Sequence, residues 1–188
     1  MSTHDSNAVP SVEGERDHAV LWAPWRMQYI EGEKTHECIF CVPPEPTILR
    51  ERLLLHLTRH SRVMLNKYPY NNGHLMIAPH RHTANLVELP EVEFTDLMDT
   101  LRQTIALLQH ALQPQGMNVG LNLGTSAGAG IADHLHWHVV PRWIGDTNFM
   151  PVVGSVRVMP QHLLDSYDRL HPYFTALPPA TTASTNQR

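Results

Sequence analysis

The sequence predicts an α+β fold, in which an antiparallel sheet packs against one long helix. Three observations support this prediction. Short apolar runs of strand length alternate with turn residues such as Pro, Asn and Gly. One segment, residues 91–112, instead repeats its apolar residues at helical spacing. The chain also shows no internal repeat, so a solenoid or propeller is not expected.

Length and composition fit one globular domain with polar ends. Of the 188 residues, 42% are hydrophobic and 17% are charged, so a core of ordinary size can form. Residues 1–18 and 176–188 are polar and aperiodic, which predicts flexible tails around one domain at 19–175. The net charge of −4 gives no footprint for nucleic acid or an anionic membrane. Without a secretory signal or a membrane-length apolar run, we expect a cytoplasmic protein.

The first two predicted strands form a hairpin. Residues 62–65 and 74–79 are apolar runs of strand length. Between them, Pro69 and the Asn-Asn-Gly triplet that ends at Gly73 have turn chemistry. This spacing predicts neighbouring antiparallel strands.

Two helices are expected. The longer one covers 91–112, because Pro90 fits its start and Pro114 stops it. A shorter C-terminal helix is predicted at 160–170. Both would pack on the sheet.

Two later strands surround a loop of small residues. Residues 117–123 and 135–140 have strand character, and Pro141 is expected to close the second. The loop at 125–130, TSAGAG, has the composition of a phosphate-binding nest, in which backbone N–H groups face an anion. A phosphate site next to the last strand is therefore expected.

Of the 14 histidines, His136 and His138 lie on this last predicted strand and His134 directly precedes it. Residues two apart point to the same side of a strand, so His134, His136 and His138 share one face, and the apolar Leu135, Trp137 and Val139 face the core. Such a row could be a three-histidine metal site, or a coincidence in a histidine-rich chain. The small-residue loop directly before it favours a third interpretation, a histidine nucleophile beside a phosphate site.

The only cysteines, Cys38 and Cys41, are separated by two residues along the chain and cannot form a disulfide framework. This spacing suits a metal pair or a redox pair. A tetrahedral metal site would need two more ligands.

These motifs resemble the histidine-triad (HIT) superfamily. The resemblance rests on HLHWHVVP (134–141), PHRH (79–82) and CIFC (38–41), and covers roughly 37–142. Further segments resemble its bacterial diadenosine tetraphosphate phosphorylase-like branch: WAPWR (22–26), AGAG (127–130), PRW (141–143) and GDTNFMP (145–151). The resemblance implies a five-stranded antiparallel sheet with one long helix and a shorter C-terminal helix, in a homodimer.

The resemblance also implies roles for individual residues. His136 would attack the α-phosphorus and form a nucleotidyl-histidine, while His138 would hydrogen-bond the phosphate. Asn66 is the ribose candidate, with Lys67 near the base. The remaining nucleotide-binding candidates lie in or just before the loop, which would donate backbone N–H groups to phosphate oxygens: Asn122, Ser126, Gly128 and Gly130.

In zinc-bearing members of the superfamily, two histidines complete the site that the cysteines begin. The positions here are His82 and His134, so the resemblance implies a structural zinc ion held by Cys38, Cys41, His82 and His134. His80 could take the place of His82, and His36 is an outside candidate.

The implied reaction is the cleavage of dinucleoside polyphosphates, such as diadenosine tetraphosphate. The acceptor could be inorganic phosphate or water. Better-known phosphorylases carry glutamine where this chain has His138, which leaves the acceptor open. Two alternatives also remain: a nucleoside phosphoramidase with the same nucleophile, and a non-catalytic nucleotide-binding regulator.

Overall fold

A computed structural model of the protein describes residues 38–43, 49–147, 159 and 161–177. The described strands form one antiparallel sheet in the order β1-β2-β3-β5-β4. Two helices accompany the sheet, which confirms the predicted α+β class. In chain order the elements are β1 Leu54–Leu57, β2 Ser61–Leu65, β3 Leu75–Pro79, α1 Glu91–Leu112, β4 Gly116–Leu121, β5 Trp137–Arg142 and α2 Leu163–Thr175.

The β2–β3 hairpin forms as predicted, whereas no sequence pattern located β1. Strand β1 is short and its register with β2 shifts between Leu54 and His56. A bulge of this kind breaks the alternation of buried and exposed residues by which a strand is predicted. Its first two residues are buried and its last two are half-buried.

Helix α1 has the predicted bounds, Glu91–Leu112. Leu97, Leu101 and Leu108 on its inner face join the larger core cluster, together with Val63, Ile77 and other residues of the sheet. The helix ends at Gln113, whose φ of 49° is left-handed.

Helix α2 differs from the prediction of 160–170, since it begins at Leu163 and continues to Thr175. The side chain of His162 accepts from the backbone N–H of Leu164 and so caps the start. Pro172 lies within the helix, but the buried ring of Phe174 extends the apolar face one turn beyond Leu170. Core packing therefore outweighs the backbone hydrogen bond that a proline removes.

Strand β5 is displaced from its predicted position at 135–140. It begins at Trp137 and includes Pro141, which pairs with Met117 of β4. On the other side, the pairing with β3 ends at Leu75 and Val139, so the missing N–H of Pro141 breaks no hydrogen bond to β3.

The predicted tail boundaries remain predictions. Residues 1–18 and 178–188 lie outside the described residues, as do the WAPWR segment at 22–26 and part of 145–151. Leu177 packs against the larger core cluster. Among the described helices, none is long and apolar enough to cross a membrane.

Gly73 ends the β2–β3 turn in a backbone conformation that favours glycine, with φ of 72°. A Cβ there would lie 2.5 Å from Cδ1 of Leu112. We expect Gly73→Ala to lower the free energy of unfolding by about 1–3 kcal/mol, through backbone strain and displacement of Leu112. Urea denaturation measures this change.

Gly116→Ala is the matched control, because no atom lies within 4 Å of a Cβ at Gly116. Its denaturation midpoint should stay close to that of the parent protein. Equal losses in the two variants would contradict the assigned role of the Gly73 turn.

Candidate active site and metal site

The two faces of β5 carry different residues, as the alternation predicted. Leu135 and Val139 belong to the larger core cluster beneath the helices. On the opposite face, His138 pairs with Met76 of β3 on one side and Gly120 of β4 on the other. His136 comes two residues before His138 and one residue before β5 begins.

The histidine side chains on this face are largely buried. His134 is fully buried and His136 is 4% exposed. The ring of Phe40 covers both, with centroids 5.0 Å from each imidazole. Phe40 also anchors a second, smaller apolar cluster that includes Met64, Met76 and Ala78.

The tautomer of His136 follows from its hydrogen bond. Its Nδ1 lies 2.9 Å from the carbonyl oxygen of His134, and a carbonyl can only accept, so Nδ1 carries the proton. Burial lowers the pKa of His136 below its usual value, which favours the neutral ring. Neutral His136 therefore has its lone pair on Nε2, the form required of a nucleophile.

His138 is oriented by His74. The backbone N–H of Tyr70 donates to Nδ1 of His74 at 3.0 Å, so the proton of neutral His74 is on Nε2. That Nε2 lies 2.9 Å from Nδ1 of His138 and donates to it. Neutral His138 therefore carries its own proton on Nε2, as a hydrogen-bond donor. The pKa of His138 is lowered to about 4, mainly by burial and to a smaller extent by the nearby His136.

His74 belongs to none of the sequence motifs, yet it is fully buried beside the site. The available signal was its place directly before β3, the strand that pairs with the triad strand. The pairing register that brings His74 to His138 could not be obtained from the residues.

The ribose candidate Asn66 lies beside this histidine pair. Its Nδ2 is 3.4 Å from Nδ1 of His74, and its Oδ1 accepts from the backbone N–H of Tyr68 at 2.9 Å. Lys67 is exposed. The structure therefore places Asn66 near His138, although these residues lie far apart in the sequence.

The small-residue loop follows directly from β4. Asn122 is one residue beyond the pairing of Leu121 with Trp137, and the next residues form a short 3-10 turn, Thr125–Ala127. Gly128 then adopts a φ of 85°. Ser126 and Gly130 are exposed. Three loop N–H groups donate to carbonyls of the loop itself, namely those of Ala127, Gly128 and Ala129.

The four metal-ligand candidates converge at one place. One ligand atom from each of Cys38, Cys41, His82 and His134 lies within 4.8 Å of the others. Nδ1 of His134 is 3.3 and 3.5 Å from the two sulfur atoms and 3.2 Å from Nδ1 of His82. Nε2 of His134 donates to the carbonyl of Pro79 at 2.9 Å, which leaves the lone pair on Nδ1, facing the cysteines.

This donor set fits a tetrahedral zinc ion. Zn–S and Zn–N bonds of about 2.3 and 2.0 Å place ligand atoms roughly 3.3–3.8 Å apart, close to the 3.2–3.5 Å that separate Nδ1 of His134 from the other three ligand atoms. His80 does not belong to the group: its Nδ1 accepts from Arg62 at 3.1 Å and its Nε2 donates to the carbonyl of Thr58 at 3.1 Å. His36 lies outside the described residues.

Comparison with known proteins identifies the family of the chain. The HIT domain profile matches residues 51–143. The chain is 38% identical over 174 residues to the AP-4-A phosphorylase of Mycobacterium tuberculosis, covering 88% of this chain and 89% of that protein. The chain belongs to the HIT family. The chain is also similar to the bis(5'-adenosyl)-triphosphatase of Dictyostelium discoideum, with 26% identity over 97 residues, which cover 52% of this chain and 64% of that protein.

Solved structures share the HIT fold. A histidine triad nucleotide-binding protein from Sulfolobus tokodaii matches with a TM-score of 0.54 and 25% identity, covering 73% of this chain and 89% of that chain. A zinc-bound histidine triad protein from Mycobacterium smegmatis matches with a TM-score of 0.56 and 23% identity, covering 74% and 94%. Both support the five-stranded sheet described above.

Proposed function

We propose that this HIT protein transfers a nucleotidyl group through His136 and so cleaves dinucleoside polyphosphates such as diadenosine tetraphosphate. The observation that carries the proposal is the hydrogen bond from Nδ1 of His136 to the carbonyl of His134 at 2.9 Å. It leaves Nε2 unprotonated for attack. The substrate class is supported by the similarity to the AP-4-A phosphorylase.

The proposed reaction has two displacements. In the first, the Nε2 lone pair of His136 attacks the α-phosphorus, a P–N bond forms, and the anhydride P–O bond breaks with its electron pair on the departing nucleotide. In the second, phosphate or water attacks the same phosphorus through an oxygen, the P–N bond breaks, its electrons return to Nε2, and the proton of the attacking oxygen is released to solvent. The Nε2–H of His138 stabilises the charge on a phosphate oxygen in both steps.

Six residues besides the histidines are proposed to bind the nucleotide. Asn66 would bind the ribose, and Lys67 would lie near the base. Asn122, Ser126 and the backbone at Gly128 and Gly130 would bind phosphate oxygens. Because some loop N–H groups donate within the loop, phosphate binding by those groups requires the loop to rearrange.

Cys38, Cys41, His82 and His134 would hold a zinc ion, and four protein ligands give it a structural role. The ion would fix His134, whose carbonyl in turn orients His136. A homodimer is also proposed, since β4 lies at the edge of the described sheet with Val119 40% exposed, and a strand at a sheet edge is suited to pairing with a second copy.

The acceptor can be identified from the products of one assay. The protein is incubated with diadenosine tetraphosphate, with and without inorganic phosphate. The nucleotide products are then separated, identified by mass spectrometry and quantified. Since the similarity favours phosphorolysis, we expect ATP and ADP in equal amounts, only when phosphate is present. AMP with ATP, or ADP alone, in phosphate-free buffer would instead identify a hydrolase. Turnover of an adenosine phosphoramidate alone would contradict the proposed substrate class.

A further inference from the structure

Phe40 lies inside the cysteine turn yet contacts the nucleophile. The turn is closed by a hydrogen bond from the backbone N–H of Cys41 to the carbonyl of Cys38 at 2.9 Å. The Phe40 side chain is 0% exposed. Its ring centroid is 5.0 Å from that of His136 and 5.0 Å from that of His134. One side chain therefore joins the metal-ligand group to the catalytic group.

His136 needs this contact because its polar restraint is limited. The hydrogen bond from Nδ1 to the carbonyl of His134 fixes one direction of the ring but still permits the imidazole to tilt about that bond. Phe40 packs against His136 with an interplanar angle of 33°, and His138 lies against the same imidazole with a centroid distance of 4.8 Å and an angle of 74°. The nucleophile is thus in contact with two other rings.

We propose that Phe40 is a positioning residue that holds the His136 imidazole in its attacking orientation. It acts through packing on the imidazole ring and carries no group that could take part in the reaction. Because Phe40 belongs to the turn between Cys38 and Cys41, the order of the metal-ligand group is transmitted to Nε2 of His136 through this ring. The kinetic part of the proposal rests on the proposed nucleotidyl transfer.

The test replaces Phe40 by leucine, and separately by methionine, which has nearly the volume of leucine on an unbranched side chain; both lack the ring. A displacement of the nucleophile by about 1 Å can cost on the order of a hundredfold in rate. We therefore expect kcat for diadenosine tetraphosphate to fall roughly ten- to a hundredfold in both variants, with KM within about twofold of the parent value. The metal content should stay unchanged.

Phe174→Leu is the matched control. Phe174 is also 0% exposed but belongs to the larger core cluster beneath the helices, so the same substitution creates a comparable cavity without touching His136. Its thermal midpoint should fall as in Phe40→Leu while its kcat is preserved. Equal kcat in the Phe40 and Phe174 leucine variants would overturn the proposal, as would a rise in KM without a fall in kcat.

A second readout does not depend on turnover. The proton on Nδ1 of His136, donated to a buried carbonyl, should give a slowly exchanging side-chain NMR signal in the parent protein. In Phe40→Met the exchange should accelerate at least about tenfold, whereas Phe174→Leu should leave it unchanged. If no dinucleotide is cleaved by the parent protein, the proposed function fails but this comparison still decides the role of Phe40. Unchanged exchange would reject it.

Discussion

His136→Ala should lose turnover of dinucleoside polyphosphates, by at least about a thousandfold in kcat. The physical reason is that no other described group offers an unprotonated nitrogen in the same place. Nδ1 of His138 accepts from His74, so its lone pair is engaged. Nucleotide affinity should change little, because the proposed ribose and phosphate contacts come from other residues.

The covalent step makes this prediction specific. After incubation without phosphate, the parent protein should carry the added mass of one nucleotidyl group, which acid removes because a P–N bond is acid-labile. His136→Ala should carry none. His110→Ala serves as the control, since His110 is exposed on α1 and its ring packs on Tyr173. A labelled His136→Ala protein, or one with full activity, would contradict the covalent mechanism.

Those parts of the fold and the site that correspond to a sequence motif or a regular apolar spacing could be predicted. The alternation of HLHWHVV placed Leu135 and Val139 in the core and His136 on the other face, and the structure confirms both. Helix α1 was predictable to the residue because its apolar spacing is regular and prolines flank it. The convergence of Cys38 and Cys41 with His82 and His134 came from the family resemblance, and the structure brings the four together.

Other features depend on tertiary contacts that cannot be predicted from a single sequence. The partnership of His74 with His138 requires the β3–β5 register, and the tautomers of both rings follow from the N–H of Tyr70. The burial of His134 and His136 depends on Phe40, which lies 94 residues before His134 in the chain. Helix α2 continues beyond its predicted end because Phe174 finds a place in the core, which overrides the effect of Pro172 on the local pattern.

The second large effect is expected at the metal-ligand group. Cys38→Ser should lose the bound zinc and several kcal/mol of stability, because metal binding that exists only in the folded state is coupled to folding. Elemental analysis measures the zinc, and thermal unfolding with and without a chelator measures the coupling. A chelator should lower the midpoint of the parent protein and leave Cys38→Ser unaffected. A parent protein whose midpoint ignores the chelator would argue against a structural metal.

His80 and His82 offer a matched pair for the ligand assignment. His82→Asn should reduce zinc content, since Nδ1 of His82 lies 3.2 Å from Sγ of Cys41. His80→Asn should keep the zinc, because both ring nitrogens of His80 already bond to Arg62 and Thr58. Loss of zinc from the His80 variant alone would reverse the assignment.

The same geometry explains why zinc loss should affect more than the metal itself. Among the described contacts, residues 38–43 reach the rest of the domain through the metal-ligand group, the Phe40 cluster and the hydrogen bond from Arg62 to the carbonyl of Val42 at 3.1 Å. A metal that bridges Cys38 to His134 closes a loop of 96 residues and so restricts the unfolded chain. Without the metal, only the Phe40 cluster and the hydrogen bond to Val42, of these described contacts, would hold the cysteine turn in place. We therefore expect the packing of the Phe40 ring on His136 to loosen first.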